Sequence, residues 1–142
     1  MRAGIGAGGG FEYESTTPGR AEPMTVSITS RDAILMTRAP RFPAGMYGLV
    51  AGFLEPGETL EQCVAREVRE ETGLVVRNVR YFGSQPWPFP HQVMVGFTAE
   101  YESGDIVVDK TELEEAAWFE RDAMPMLPPP FSIARALIDD WL

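Results

Sequence analysis

Gly52-Phe53-Leu54-Glu55-Pro56-Gly57-Glu58-Thr59-Leu60-Glu61-Gln62-Cys63-Val64-Ala65-Arg66-Glu67-Val68-Arg69-Glu70-Glu71-Thr72-Gly73-Leu74 is the stretch on which the fold of this chain turns. Thr59 followed three residues later by Gln62 is a capping box, in which each side chain takes an amide that the first helical turn leaves orphaned. Gly73 supplies the left-handed residue that commonly ends a helix. The spacing therefore predicts a helix from Leu60 to Thr72. Laid out at about 100° per residue from Leu60, the apolar Cys63, Val64 and Val68 share an arc with Leu60 from about −60° to 80°. Glu67, Glu70 and Glu71 fall between about −80° and 20°, inside or beside the same arc. A Glu-rich helix is ordinarily a solvated face, because Glu is rarely buried unless paired. Here three carboxylates converge on the core-facing side near the helix C-terminus, where they repel one another and the negative end of the helix offers no relief.

Such a cluster calls for a cation. Arg66 lies on the far side by azimuth, although its stem is long enough to reach Glu67, Glu70 or the preceding loop. Mg²⁺ or Mn²⁺ suits an oxygen-only ligand set, and such ions commonly share a phosphate of the substrate. Gly52, then Glu58, then Arg66-Glu67-Val68, Glu70-Glu71 and Gly73-Leu74 resemble the Nudix box at every specified position. With ordinary residue frequencies the chance of such a match at a given start is below about 10⁻⁸. The resemblance implies an α/β fold, the α/β/α Nudix sandwich with a mixed central sheet. It also implies hydrolysis of a nucleoside diphosphate linked to another moiety.

Composition agrees. The 142 residues suit one domain, divided here into a Gly-rich N-terminal segment, residues 1–22, expected to be flexible, and a Nudix domain over residues 23–142. No stretch of about 18 apolar residues and no signal-peptide pattern is present, so the sequence reads as soluble and cytoplasmic, with no membrane partner. A formal charge of −9 argues against a general nucleic-acid binder. The single cysteine, Cys63, excludes an internal disulfide and a four-cysteine zinc site, so no zinc is expected. It lies on the apolar arc of the helix, where packing outweighs reactivity.

Strands are expected over Met24–Ser30, Ala33–Thr37, Leu49–Gly52, Leu74–Tyr81, Gln92–Tyr101 and Ala117–Glu120, with an edge segment at Ile106–Val108. A closing amphipathic helix from Ser132 to Leu142 places Ile133, Ala136, Leu137 and Trp141 on one side.

A second motif, Ser84-Gln85-Pro86-Trp87-Pro88-Phe89-Pro90, reads on its own as a rigid turn or a polyproline-like ligand. Following a Nudix box, it resembles the array of the NADH pyrophosphatases within that family, with Gln92 where their pattern has Ser. Alternating prolines would fix a loop that holds Trp87 and Phe89 as walls for a flat nicotinamide or adenine ring at little ordering cost. The resemblance extends over about residues 23–142. It implies substrate contacts from Phe53, Gln85, Pro86, Trp87, Pro88, Phe89, Pro90, His91, Gln92 and Ala134. It implies metal ligands in Glu67, Glu70, Glu71, Glu112 and the Ala51 carbonyl. Full-length NADH pyrophosphatases carry an N-terminal domain and a zinc ribbon that this sequence does not contain, and the resemblance implies a homodimer with composite sites.

The mechanism expected is attack on one phosphorus by water activated at two or three Mg²⁺ or Mn²⁺ ions. Glu71 accepts the proton or binds the activating metal, Glu70 ligates, and Arg66 orients Glu58 and the other carboxylates. NADH or NAD⁺ would yield nicotinamide mononucleotide and AMP. Alternatives are a broader dinucleotide or ADP-ribose diphosphatase, removal of NAD from the 5′ end of capped RNA, and a Nudix module that binds nucleotide without hydrolysing it.

Overall fold

The computed structural model describes residues 23–87 and 92–142, without the side chains of Trp87 and Gln92. The expectations for residues 1–22 and for Pro88, Phe89, Pro90 and His91 lie outside the described residues.

The helix forms over the residues that its caps demand. Helix α1 runs Leu60–Thr72; the Thr59 amide donates to the Gln62 side chain at 2.8 Å, and the Thr59 hydroxyl accepts from the Gln62 amide at 3.1 Å. Gly73 closes it at φ 78°, with its N–H on the Arg69 carbonyl. Cys63, Val64 and Val68 are buried. They pack on β1 (Met24–Ser30) and β3 (Val50–Gly52) through Met24, Val26, Ile28 and Val50.

The sheet continues through β2 (Ala33–Arg38), β4 (Val75–Trp87), β5 (Gln92–Ser103) and β6 (Glu115–Glu120), in the order β4-β5-β1-β2-β6 with β3 also on β1. β1 and β5 run parallel and the other pairs antiparallel. The sheet is therefore mixed, as expected. β1 is buried from Met24 to Ile28, as a central strand covered on both faces should be. Helix α2 (Ile133–Trp141), capped by the Ser132 hydroxyl, covers the second face with Leu137 and Ile138 against Ile34, Met36 and Leu49. Along β2 the side chains alternate: Leu35 joins the α1 cluster, Ile34 and Met36 the α2 cluster. Gly96 of β5 allows α2 its approach, because a Cβ there would lie 3.0 Å from the Ile133 side chain. Helices on both faces of a mixed sheet make the α/β/α sandwich.

One feature of the sheet creates the site. β2 pairs with β1 only at Thr29 and Ser30, whereas β3 takes the same edge at Met24, Thr25 and Val26. The edge thus forks, and Thr37 bridges across to Gly48.

Several expected boundaries move. β4 runs on to Trp87, so Ser84, Gln85, Pro86 and Trp87 belong to a strand rather than a loop, and Trp87 faces Gln92 in register. β4 is at the sheet edge, where a proline forfeits no ladder bond on its open side. β2 extends to Arg38, β5 to Ser103, and β6 begins at Glu115. Ile106–Val108 forms no strand; the Val107 and Asp109 amides instead donate to the Thr72 and Glu71 carbonyls at 2.8 and 3.0 Å. The orphan carbonyls at the end of α1 are satisfied in that way. In α2, Ile138 is buried where Ala136 was expected, and Ala136 is exposed. Among the described residues no helix is long and apolar enough to cross a membrane.

Candidate active site

Arg66 organises the start of the site. Its Nε donates to Glu58 Oε2 at 2.6 Å and Nη2 to Glu58 Oε1 at 2.9 Å, a two-pronged grip on one carboxylate. Nη2 also reaches the Phe53 carbonyl at 2.9 Å, while Nη1 reaches Glu67 and Glu70, each at 3.2 Å. The far-side guanidinium thus swings back under the loop before α1. Its grip holds the Glu58 carboxyl below the ordinary range, and the Glu55 amide donating to the same group adds to this. Arg66 is in turn held more firmly protonated, chiefly by Glu58. The buried Cys63 thiol donates to the same Phe53 carbonyl at 3.3 Å; burial, reinforced by the charge of Glu58, pushes it up to about 12. Cys63 is thus a packed neutral thiol.

Glu67 lies against Gly52, where any Cβ would run into its carboxyl. Glycine is required at this point to leave space for one acid. Glu71 is only 5% exposed. The carbonyls of Glu71 and Thr72 tie the end of α1 to the segment that follows β5, and that segment turns sharply at Asp109. The Thr111 hydroxyl and amide donate to the Asp109 carboxylate, lowering its pKa, and the Glu112 and Leu113 amides donate to the Asp109 carbonyl. That turn presents Glu112.

A cleft of about 650 Å³ opens at the fork in the sheet. Ala51, Phe53, Glu71, Glu112 and Ala134, five expected site residues from separate parts of the sequence, line it together. Glu58, Glu67 and Glu70 stand beside it around Arg66. Gln85 is bonded to the start of α2: its side chain donates to the Phe131 carbonyl at 2.7 Å and accepts from the Ile133 amide at 3.0 Å. It fixes the first turn of α2, and therefore Ala134.

The cleft also holds residues that no sequence motif singles out. Thr25, Arg41, Phe42, Met46, Met94 and Ser132 reach it from β1, the β2–β3 loop, β5 and the cap of α2. Their contribution depends on chain crossovers, and no local spacing announces it. Arg41 is the one cation among the described lining residues, and its guanidinium sits over the Phe42 ring at 5.3 Å.

The donor set suits a hard divalent cation: carboxylates and one carbonyl, with the space at Gly52 that the Glu67 carboxyl needs. In the present arrangement Glu67 and Glu70 are paired with Arg66, and among the described residues no three acidic, histidine or cysteine side chains converge closely enough to hold a metal.

A family model described as the NUDIX domain matches residues 21–142. The chain is 54% identical over 125 residues to "NAD-capped RNA hydrolase NudC" of Pseudomonas aeruginosa (strain LESB58), covering 88% of this chain and 45% of that protein. It is 53% identical over 123 residues to the protein of the same name from Salmonella typhi, covering 87% and 48%. The chain spans about half the length of the curated relatives it matches. Among solved structures, a "NUDIX hydrolase from Nitrosomonas europaea" is similar with a TM-score of 0.65 at 28% identity, covering 85% of this chain and 88% of that one. A UDP-X diphosphatase, at 19% identity and a TM-score of 0.64, covering 90% of this chain and 64% of that one, shows the fold alone.

Proposed function

We propose, from the premise that this chain belongs to the NUDIX family, that residues 23–142 are a catalytic domain that hydrolyses the diphosphate of NADH or NAD⁺ to nicotinamide mononucleotide and AMP. The observation that carries this reading is the cleft shared by Ala51, Phe53, Glu71, Glu112 and Ala134.

Glu67, Glu70, Glu71, Glu112 and the Ala51 carbonyl would hold Mg²⁺ or Mn²⁺. Bound there, such ions neutralise phosphate charge and bring a water towards neutral-pH ionisation. The protein's own part is largely positional. Arg66 holds Glu58 and the Phe53 carbonyl, so the Phe53 ring stays in the cleft wall as a stacking surface for a base. Glu71, withdrawn from solvent, is assigned the proton from the attacking water. Gln85 steadies the α2 cap beside which the main chain of Ala134 meets the substrate. Pro86, Trp87, Pro88, Phe89, Pro90, His91 and Gln92 are proposed as the wall against nicotinamide, an assignment that rests on the resemblance.

A second reading, favoured by the relatives that share more than half of their aligned residues with this chain, is removal of NAD from the 5′ end of RNA. The test is incubation with NADH, NAD⁺, ADP-ribose and a short NAD-capped RNA, each with Mg²⁺ or Mn²⁺. Free dinucleotides should release AMP, whereas the capped RNA should release nicotinamide mononucleotide and leave a 5′-monophosphate. Glu71→Gln should keep its fold and lose kcat by a factor of about 10² or more, the scale expected when general-base or metal-ligand chemistry is removed. Metal-dependent nucleotide binding without any hydrolysis would make the chain a binding module instead. Light scattering tests a homodimer.

A further inference from the structure

Arg38, at the end of β2, has no part in the box or in the proposed chemistry, yet its guanidinium joins two walls of the cleft. Nη1 donates to the Pro43 carbonyl at 2.5 Å and to the Met46 carbonyl at 3.2 Å, and Nη2 to the Phe42 carbonyl at 3.1 Å. These three acceptors all lie on the β2–β3 loop, which carries Arg41, Phe42 and Met46 into the cleft. The remaining nitrogen, Nε, pairs with Glu114 at 3.2 Å, and the Arg38 carbonyl accepts from the Glu114 amide at 2.8 Å. Glu114 is two residues from Glu112, on the segment that brings Glu112 and Leu113 to the same cleft. The Arg38 side chain is 16% exposed, whereas that of Glu114 is 49% exposed. An ion pair at a rim adds little stability. Three carbonyls held by one planar fork fix a loop's shape, because Arg directs its donors in set directions and Lys does not.

We propose that Arg38 is a positioning residue for the substrate: it holds the loop bearing Arg41 and Phe42 in register with the segment bearing Glu112, so that both walls meet a nucleotide diphosphate in one geometry. Arg41 is the group this would aim at substrate phosphate, with Phe42 beneath it. The identity of the substrate here rests on the function proposed above.

Loss of positioning and loss of folding have different signatures. A variant that is merely less stable leaves fewer active molecules, which lowers apparent kcat without changing KM. A variant whose loop wanders raises KM. Arg38→Lys should raise KM for NADH about tenfold with kcat within about threefold of wild type, since a small displacement of a binding wall is costly. ADP-ribose titrated without added divalent metal, so that it is not hydrolysed, into the wild type and the variant should show a matching rise in Kd. Glu114→Ala, which leaves the loop carbonyls bonded, should raise KM by about threefold. If Arg38→Lys does not fold, this second variant decides. An unchanged KM and Kd in a folded Arg38→Lys, or in Glu114→Ala where only that variant folds, overturns the proposal. If the wild type hydrolyses none of NADH, NAD⁺ and ADP-ribose, the function reading fails instead. The ADP-ribose Kd then remains the measurement that decides about Arg38.

Discussion

At the scale of single residues, the box uses its charges in pairs with different roles. Glu58 is tied to Arg66 by two short bonds and is not a free acid in the cleft. Its pKa lies below the ordinary value in the folded protein, chiefly through Arg66. A carboxyl depressed by folding contributes stability above its unfolded pKa of about 4.3, and that contribution is lost as pH falls through the folded value. Glu58→Gln should therefore melt earlier than wild type at pH 7, by about 1 kcal/mol once the accessible rim of the pair is discounted. The gap should begin to narrow as pH falls below about 4 and close only beneath the depressed folded value. Melts across that range check it; a gap that persisted undiminished at low pH would show that the Gln side chain disturbs packing rather than charge. The sequence pointed to Glu58 as the partner of Arg66 through the resemblance, and otherwise only to the preceding loop as within reach of the Arg66 stem. The azimuth of Arg66 pointed away, and a long flexible stem is what makes azimuth a poor guide for Arg.

At the scale of elements, α1 was legible to the residue because its ends are set by local chemistry. Thr59, Gln62 and Gly73 each act within four residues of their own position. Thr59→Ala removes one half of a reciprocal pair and should cost about 1 kcal/mol. The helix also carries Arg66, Glu67, Glu70 and Glu71, so fraying its first turn reaches the site through Arg66 before it reaches Glu71. Chemical denaturation of Thr59→Ala should show that loss with an unchanged m-value, and Thr59→Ser should recover most of it. β4 was read short for the opposite reason. Pro86 argues against a strand when taken alone, and only the knowledge that β4 is the outermost strand makes it admissible. The edge segment expected at Ile106–Val108 had the composition of a strand, but its Val107 amide is committed to a last carbonyl of α1, as is that of Asp109 beside it. That commitment joins elements far apart in the chain, so a local pattern could not contain it.

At the scale of the whole molecule, the cleft exists because two strands share one edge of β1 and because β5 returns parallel to β1, neither of which is written in any window of sequence. Ala51, Glu71 and Glu112 were nameable from the resemblance, while Thr25, Arg41 and Met94 needed the assembled sheet. The molecule carries a formal charge of −9 and gathers much of its acid around one helix and one turn. If Glu67, Glu70, Glu71 and Glu112 hold divalent cations, the ions bind the native state and scarcely the unfolded one. Linkage then requires stabilisation of about 2.7 kcal/mol at a metal concentration near one hundred times Kd. For a domain of this length that is a rise in Tm of roughly 5–10 °C. Simple screening of a net negative charge would also raise Tm, but it follows ionic strength rather than ion identity. Mn²⁺ or Mg²⁺ at millimolar concentration should therefore stabilise well beyond NaCl of equal ionic strength, EDTA should reverse the shift, and Glu71→Gln should reduce it. An equal response to NaCl would mean that the acids are relieved as a cloud of charge and do not hold an ion at a site.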